Sequence, residues 1–281
     1  MRKQAIARPV HANAGTEARY RRALLSAISE MVKDVTDLIT EQRESNPPVL
    51  AEDASHVNPP QPPPRPLIGT SPSVAMREEL NKIAARWQKR FAEMSDTVAS
   101  SFLRNSFRGT DNAMRAALKS AGWSIEFKMT PAVRDAFEAS LAENVGLIRS
   151  IPEKYLQQVE GIVMRNYAAG RDLQTMTREI KALSPKTQDR AALIARDQSN
   201  KANAVVTRAR QKELGIAEAV WMHSHAGKEP RPTHVAMNGK RYDVSKGMYD
   251  SAVKKWIFPG ELVSCRCTSR SVLPWTPAEK N

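Results

Sequence analysis

Between residues 16 and 45, apolar side chains return every three or four positions: Ala23, Leu24, Ala27, Ile28, Met31, Val35, Leu38 and Ile39. Arg21, Arg22, Glu30, Lys33, Asp34 and Glu41 occupy the positions between. That period predicts one amphipathic helix. Its stripe needs a partner, either the body of the same chain or another protein. Residues 1–45 therefore read as a helical arm, and the stripe as a docking face.

The pattern stops at residue 46. Nine of the 18 prolines fall between residues 46 and 72. Proline removes backbone donors and blocks helix, so residues 46–73 read as an extended linker. The run Gln61-Pro62-Pro63-Pro64-Arg65-Pro66 also fits a ligand of a proline-binding module, although spacer is the simpler reading. Helical spacing resumes over 74–186. It predicts one helix from Val74 to Phe107, ending near Gly109, and a short one capped by Asp111 and closed by Gly122. Others follow from Thr130-Pro131 to Ile148, from Glu153 to Ala169, and from Asp172 or Thr175 to Ser184-Pro185.

The most regular helix spans 187–214. Its apolar face is Ala191, Ile194, Ala195, Ala202, Val205, Val206 and Ala209, and its polar side is Arg190, Arg196, Lys201, Arg208, Arg210 and Lys212. Gly215 ends it. Alternation then replaces helical spacing. Residues 219–223, 240–244 and 265–272 read as short strands, the second following an Asn238-Gly239 turn. The fold class is α+β, predominantly helical, with a small α+β module of a few strands at the C-terminal end. The expected division is arm 1–45, linker 46–73, helical domain 74–186 and module 187–281.

Composition supports that reading. Hydrophobic residues make up 41% of the chain, enough for a core, while aromatics at 6% favour helix packing over a β-sandwich. Net charge is +13. It rises along the chain: residues 1–73 carry 9 basic and 8 acidic groups, 74–186 carry 18 and 13, and 187–281 carry 16 and 9. Such a field attracts polyanions, and the cations of helix 187–214 are candidate DNA contacts. The two cysteines, Cys265 and Cys267, stand too close in sequence for an unstrained mutual disulfide. They fit a reduced, intracellular usage. Residues 1–15 lack the apolar segment of a signal peptide, and no run of about 18 apolar residues exists, so no membrane association is expected.

Three pieces of the last third occur together. The helix Leu193-Ile194-Ala195-Arg196-Asp197-Gln198-Ser199-Asn200-Lys201-Ala202 comes first. Trp221 and then Arg231-Pro232-Thr233-His234-Val235-Ala236-Met237-Asn238-Gly239 come second. Pro259-Gly260 leading to Ser264-Cys265-Arg266-Cys267-Thr268 comes third. In this order, the stretch from Arg190 to Leu273 resembles the phage Mu F-like minor head, or head-morphogenesis, family. The chain departs from the family pattern at Asp197-Gln198, where Thr-Glu is usual, and at Gly227, often acidic. A third departure is Pro259-Gly260-Glu261-Leu262-Val263. The missing acidic groups argue against a carboxylate-based active site. The resemblance implies a low-copy virion protein at the portal vertex or in the capsid lumen, working in head assembly, genome packaging or ejection. Implied partners are the portal protein, the major capsid or scaffold protein, and phage DNA.

The motif residues also have chemistry of their own. His223, His225, His234, Cys265 and Cys267 are sufficient ligands for a tetrahedral, structural zinc ion, although H-x-H and C-x-C are not zinc-finger spacings. Without metal, the histidines are surface or loop groups and the cysteines small apolar packing. No other cofactor is expected. On alternation, His223 and His225 share a strand face, and so do Cys265 and Cys267. Arg231 and Arg266 suit a carboxylate or a phosphate, a structural ion pair being the commoner outcome, with Arg266 facing the other way as an anchor; Trp221 and Trp256 fill the core. There is no P-loop and no dinucleotide fingerprint. The chain reads as a structural component and not an enzyme. The alternative is a DNA-processing enzyme, a nuclease using the histidines as acid and base. The structural reading requires the histidine loop and paired thiols to fold back on helix 187–214.

Overall fold

The computed structural model describes residues 4–45, 71–225, 227 and 229–274. Six helices and five strands follow in order: α1 (Ala14–Ser45), α2 (Pro72–Lys119), α3 (Pro131–Ala168), α4 (Leu173–Lys181), α5 (Leu183–Glu213), β1 (Glu218–Met222), α6 (Pro232–Met237), β2 (Arg241–Asp243), β3 (Met248–Asp250), β4 (Lys255–Ile257) and β5 (Thr268–Val272). The helical α+β class holds. The linker 46–73 and its proline-rich run lie outside the described residues, apart from 71–73.

The described residues gather in two compact units. One holds those up to Arg22, Asp96–Val145 and those from Ala192 onward; the other holds Ala23–Ser95 and Gly146–Ala191. In the second unit the stripe of α1 is not a free docking face. Leu24, Ile28, Met31 and Val35 are wholly buried. Asp34 of α1 accepts hydrogen bonds from Arg86 at 2.5 Å and Trp87 Nε1 at 3.1 Å, both on α2. Arg90 pairs with Glu30. An apolar stripe this regular is satisfied at lowest cost by the nearest complementary stripe, and α2 carries one at Leu80, Ile83, Trp87 and Phe91.

Two helices run through places where a break was expected. At Gly109, α2 continues, because the next two side chains are held by α5 within the same unit. Thr110 Oγ1 donates to Asn203 Oδ1 at 3.1 Å, and Asp111 binds Arg210 through both carboxylate oxygens at 2.8 Å. At Pro152, α3 continues despite the lost donor. Burial of Ile148, Ile151, Tyr155 and Val159 around it offsets a proline cost of about 3 kcal/mol. Of the two expected openers of α4, Asp172 is the cap, accepting from Thr175 N at 2.8 Å. Gly122, Gly170 and Gly215 close helices with positive φ.

In the first unit, β1 is central to an antiparallel sheet ordered β2-β1-β5, while β3 and β4 form a separate hairpin. Ala219 and Trp221 of β1 and Tyr242 of β2 turn to one core with Met237, Val244, Ile257, Cys265 and Cys267. The N-terminal residues join β5: Ala7 N donates to Ser271 O at 3.0 Å, and Leu273 N to Ala5 O at 2.8 Å. The segment 258–267 folds back on α5. Arg208 stacks over Phe258 at 4.1 Å, and Ser264 N donates to Asp197 Oδ1 at 2.6 Å. Gly260, at φ +83°, lies so close that a Cβ there would meet Ala204 Cβ at 2.8 Å.

Candidate functional site

His234 sits on α6, a short helix begun by Pro232. Arg231, just before it, donates from Nη2 to Val263 O at 3.0 Å, so the expected ion pair is instead a tie to the cysteine loop. That loop turns at Ser264, with φ +61°, anchored by Asp197 of α5. Asp197 also pairs with Lys201 at 3.1 Å. The turn delivers Cys265 and Cys267 to the imidazole. His234 Nδ1 lies 3.4 Å from Cys265 Sγ and 3.6 Å from Cys267 Sγ, all three residues buried. The three ligand atoms lie within 4.8 Å of one another.

On its other edge, His234 Nε2 stands 3.3 Å from Asp250 Oδ2, close enough to interact but without hydrogen-bond alignment. Asp250 is fully buried on β3 and accepts from Thr233 Oγ1 at 3.1 Å and Ala252 N at 2.9 Å. The ring of Trp221 meets that of His234 edge-on at 5.3 Å.

The two thiols shift in opposite directions. Cys265 is drawn down to about 4, first by the hydrogen bond from the Cys267 thiol, against the cost of burial, then by His234 and the backbone N–H groups of Cys267 and Gly260. Cys267 is pushed up, because it donates to the Cys265 thiolate and is buried. His223 is shifted down, chiefly by burial and then by the neighbouring His225 and His234. These groups open on a cavity of about 670 Å3, whose walls also carry Arg196, Glu229, Arg231 and Arg266.

Of the five expected ligands, the fold brings His234, Cys265 and Cys267 together. His223 lines the same cavity but stands outside the triad, its Nδ1 accepting from His225 N at 3.1 Å. His225 is exposed, with φ +51°, because β1 ends at Met222 and alternation ends with it. Cys265 to Cys267 precedes β5, and Arg266 lines the cavity beside the cysteines instead of facing away. Trp221 is buried as expected, whereas Trp256 is half exposed beneath Lys246. Asn238 does more than turn: its Oδ1 accepts from His223 N at 2.9 Å, and Gly239, at φ +77°, donates to Trp221 O at 2.8 Å. Pro259 is buried beside Gly260.

The cations of α5 are largely spent inside the protein. Arg210 is buried, pairs with Asp111 and Glu213, and lies over Phe127. Lys201 pairs with Glu143 and Asp197. Arg208 is stacked on Phe258, Arg190 donates to Ser150 Oγ, and Arg196 lines the cavity. Of the six, Lys212 is the exposed one. A helix packed on several sides has little free polar face, so five of the six candidate contacts are wholly or partly buried. Asp250 and Glu229 were missed in the sequence; both lie in stretches without a periodic signal.

The class is thus a helical α+β protein whose C-terminal module encloses a histidine and two thiols beneath a charged cavity. Residues 157–270 match the family described as Phage Mu protein F like protein, in agreement with the resemblance drawn from the motifs. The chain is also similar to an uncharacterised protein of Haemophilus influenzae, 26% identical over 270 residues, covering 95% of this chain. It spans 55% of that relative's length. No solved structure matches.

Proposed function

We propose that this chain is a minor structural protein of a phage head, acting in head assembly and in DNA packaging or ejection at the portal vertex or in the capsid lumen. The match of residues 157–270 to the Mu F-like family carries this reading. Those residues include the whole His234–Cys265–Cys267 cluster and all of α5. Among the described residues no helix is long and apolar enough to cross a membrane. The partners are the portal protein or the major capsid or scaffold protein, and DNA held without sequence preference. DNA contact rests on the net charge of +13 and not on α5.

The test is location. An epitope-tagged copy is expressed in the strain that encodes the chain, and DNA-filled and empty particles are separated and probed. Low-copy tag in the heads, with packaging lost on deletion of the gene, is the expected result. Particles that package normally and contain no tag would end the proposal.

The nuclease reading draws on one observation, a cavity that places Glu229 and His223 beside three arginines. Plasmid incubated with the chain and magnesium or manganese distinguishes the two. Salt-sensitive retention without cleavage supports the structural role. Cleavage abolished by His223→Ala favours the enzyme.

A further inference from the structure

We propose that His234 Nδ1, Cys265 Sγ and Cys267 Sγ bind one zinc ion, with the fourth coordination position occupied by water facing the cavity. Four observations carry it, none of which depends on the chain's role in a phage head.

The spacing fits first. Zn–S bonds of about 2.3 Å and Zn–N bonds of about 2.0–2.1 Å at the tetrahedral angle put nitrogen and sulfur roughly 3.5 Å apart. The two nitrogen–sulfur distances are 3.4 and 3.6 Å, from the same ring nitrogen. A single thiol hydrogen bond has a similar length, but one imidazole nitrogen cannot serve two thiols along one axis. A cation between them serves all three atoms. Secondly, the far ring nitrogen meets the carboxylate of Asp250, which is wholly buried and held in place by Thr233 and Ala252. A ligating histidine whose other nitrogen faces a carboxylate is the usual outer support of zinc, fixing the tautomer and raising ligand basicity.

Thirdly, a buried donor beside the cluster has no partner. The Trp221 ring packs edge-on against His234, in the same core as both cysteines. Trp221 Nε1 is buried and has no hydrogen-bond partner among the described residues. A metal-bound thiolate would accept from that donor more strongly than a neutral thiol. Finally, both cysteines are free, and their one-residue separation disfavours a mutual disulfide. A Cys2His set prefers zinc over harder cations, which take oxygen ligands. Bound zinc would cross-link α6 to the loop before β5, beside the tie from Arg231 to Val263. His223 stays outside the ligand set, since its Nδ1 is already engaged by the His225 amide.

The test uses the full chain, purified under reducing conditions without chelator, with metal content measured by mass spectrometry. One zinc per chain is expected. X-ray absorption at the zinc edge should show two sulfur neighbours at about 2.3 Å and two lighter ones at about 2.0–2.1 Å. Cobalt(II) replacement should bring tetrahedral visible bands and a thiolate charge-transfer band. Cys265→Ser and Cys267→Ser should each weaken that band, and His234→Ala should lower metal content at least tenfold. His223→Ala should retain zinc, and loss of zinc there would refute water as the fourth ligand. If the variants fail to fold, the wild-type absorption spectrum still decides. A wild-type chain without zinc that gives no charge-transfer band with cobalt, or zinc with no sulfur neighbour, overturns the proposal.

Discussion

Arg210 shows how one buried cation organises its neighbours. Its guanidinium grips Asp111 with two parallel hydrogen bonds, reaches Glu213 and the Lys128 carbonyl, and lies over Phe127. Breaking a buried pair by removing one partner typically costs about 3–5 kcal/mol, because the other charge is stranded. Asp111 keeps a side-chain exposure of 19%, so Arg210→Ala should cost about 3 kcal/mol, at the low end. Urea denaturation measures it, and a loss below about 1 kcal/mol would contradict the assigned role. Gly260 poses a different constraint. Its φ of +83° strains any other residue, and a methyl there strikes Ala204. Gly260→Ala should therefore lower stability by about 2 kcal/mol or more. Adding Ala204→Gly removes the clash but not the dihedral strain, so it should restore only part of the loss. Full rescue in the double variant would show that φ contributes nothing.

Among the elements, α1 is the most informative. Its 16–45 pattern marks the helix clearly, and the start at Ala14 differs little. What covers the stripe was not legible, because an amphipathic face states the need for a partner and not its identity. In the folded unit the cover is the chain's own α2, through Asp34, Arg86 and Trp87. Met31→Ala should thus destabilise the protein by about 2–5 kcal/mol, as for a core residue, with the loss read from thermal or chemical unfolding. A stability unchanged within 0.5 kcal/mol, near the usual limit for surface substitutions, would return α1 to the status of a free arm. The unbroken courses of α2 past Gly109 and of α3 through Pro152 have the same origin. Local breakers cost a few kcal/mol at most, and side chains distant in sequence outweigh them.

For the whole molecule, the surplus of 13 positive charges predicts DNA binding that weakens steeply with salt. Each phosphate contact contributes roughly 0.9 to the slope of log affinity against log salt. Because Lys201 and Arg208 are engaged internally, Lys201→Ala and Arg208→Ala should leave that slope unchanged in a filter-binding or anisotropy titration. A fall of about one contact for either variant would place α5 at the DNA interface after all.

The linear order of residues was enough for the helical α+β class, the caps at Asp172 and Gly215, β1 and β5, and the three motif pieces that match the Mu F-like family. Those features depend on short-range periodicity or on residue types in a fixed order. Three-dimensional packing settled the rest: the burial of α1, the internal use of the α5 cations, and the choice of His234, Cys265 and Cys267 from five candidate ligands. It also placed Asp250 behind His234 from 16 residues away in the chain. Such pairings join residues tens to hundreds of positions apart. Local sequence sets which groups want a partner, but the partner is chosen by whichever arrangement buries the most apolar surface while leaving the fewest polar atoms unmatched.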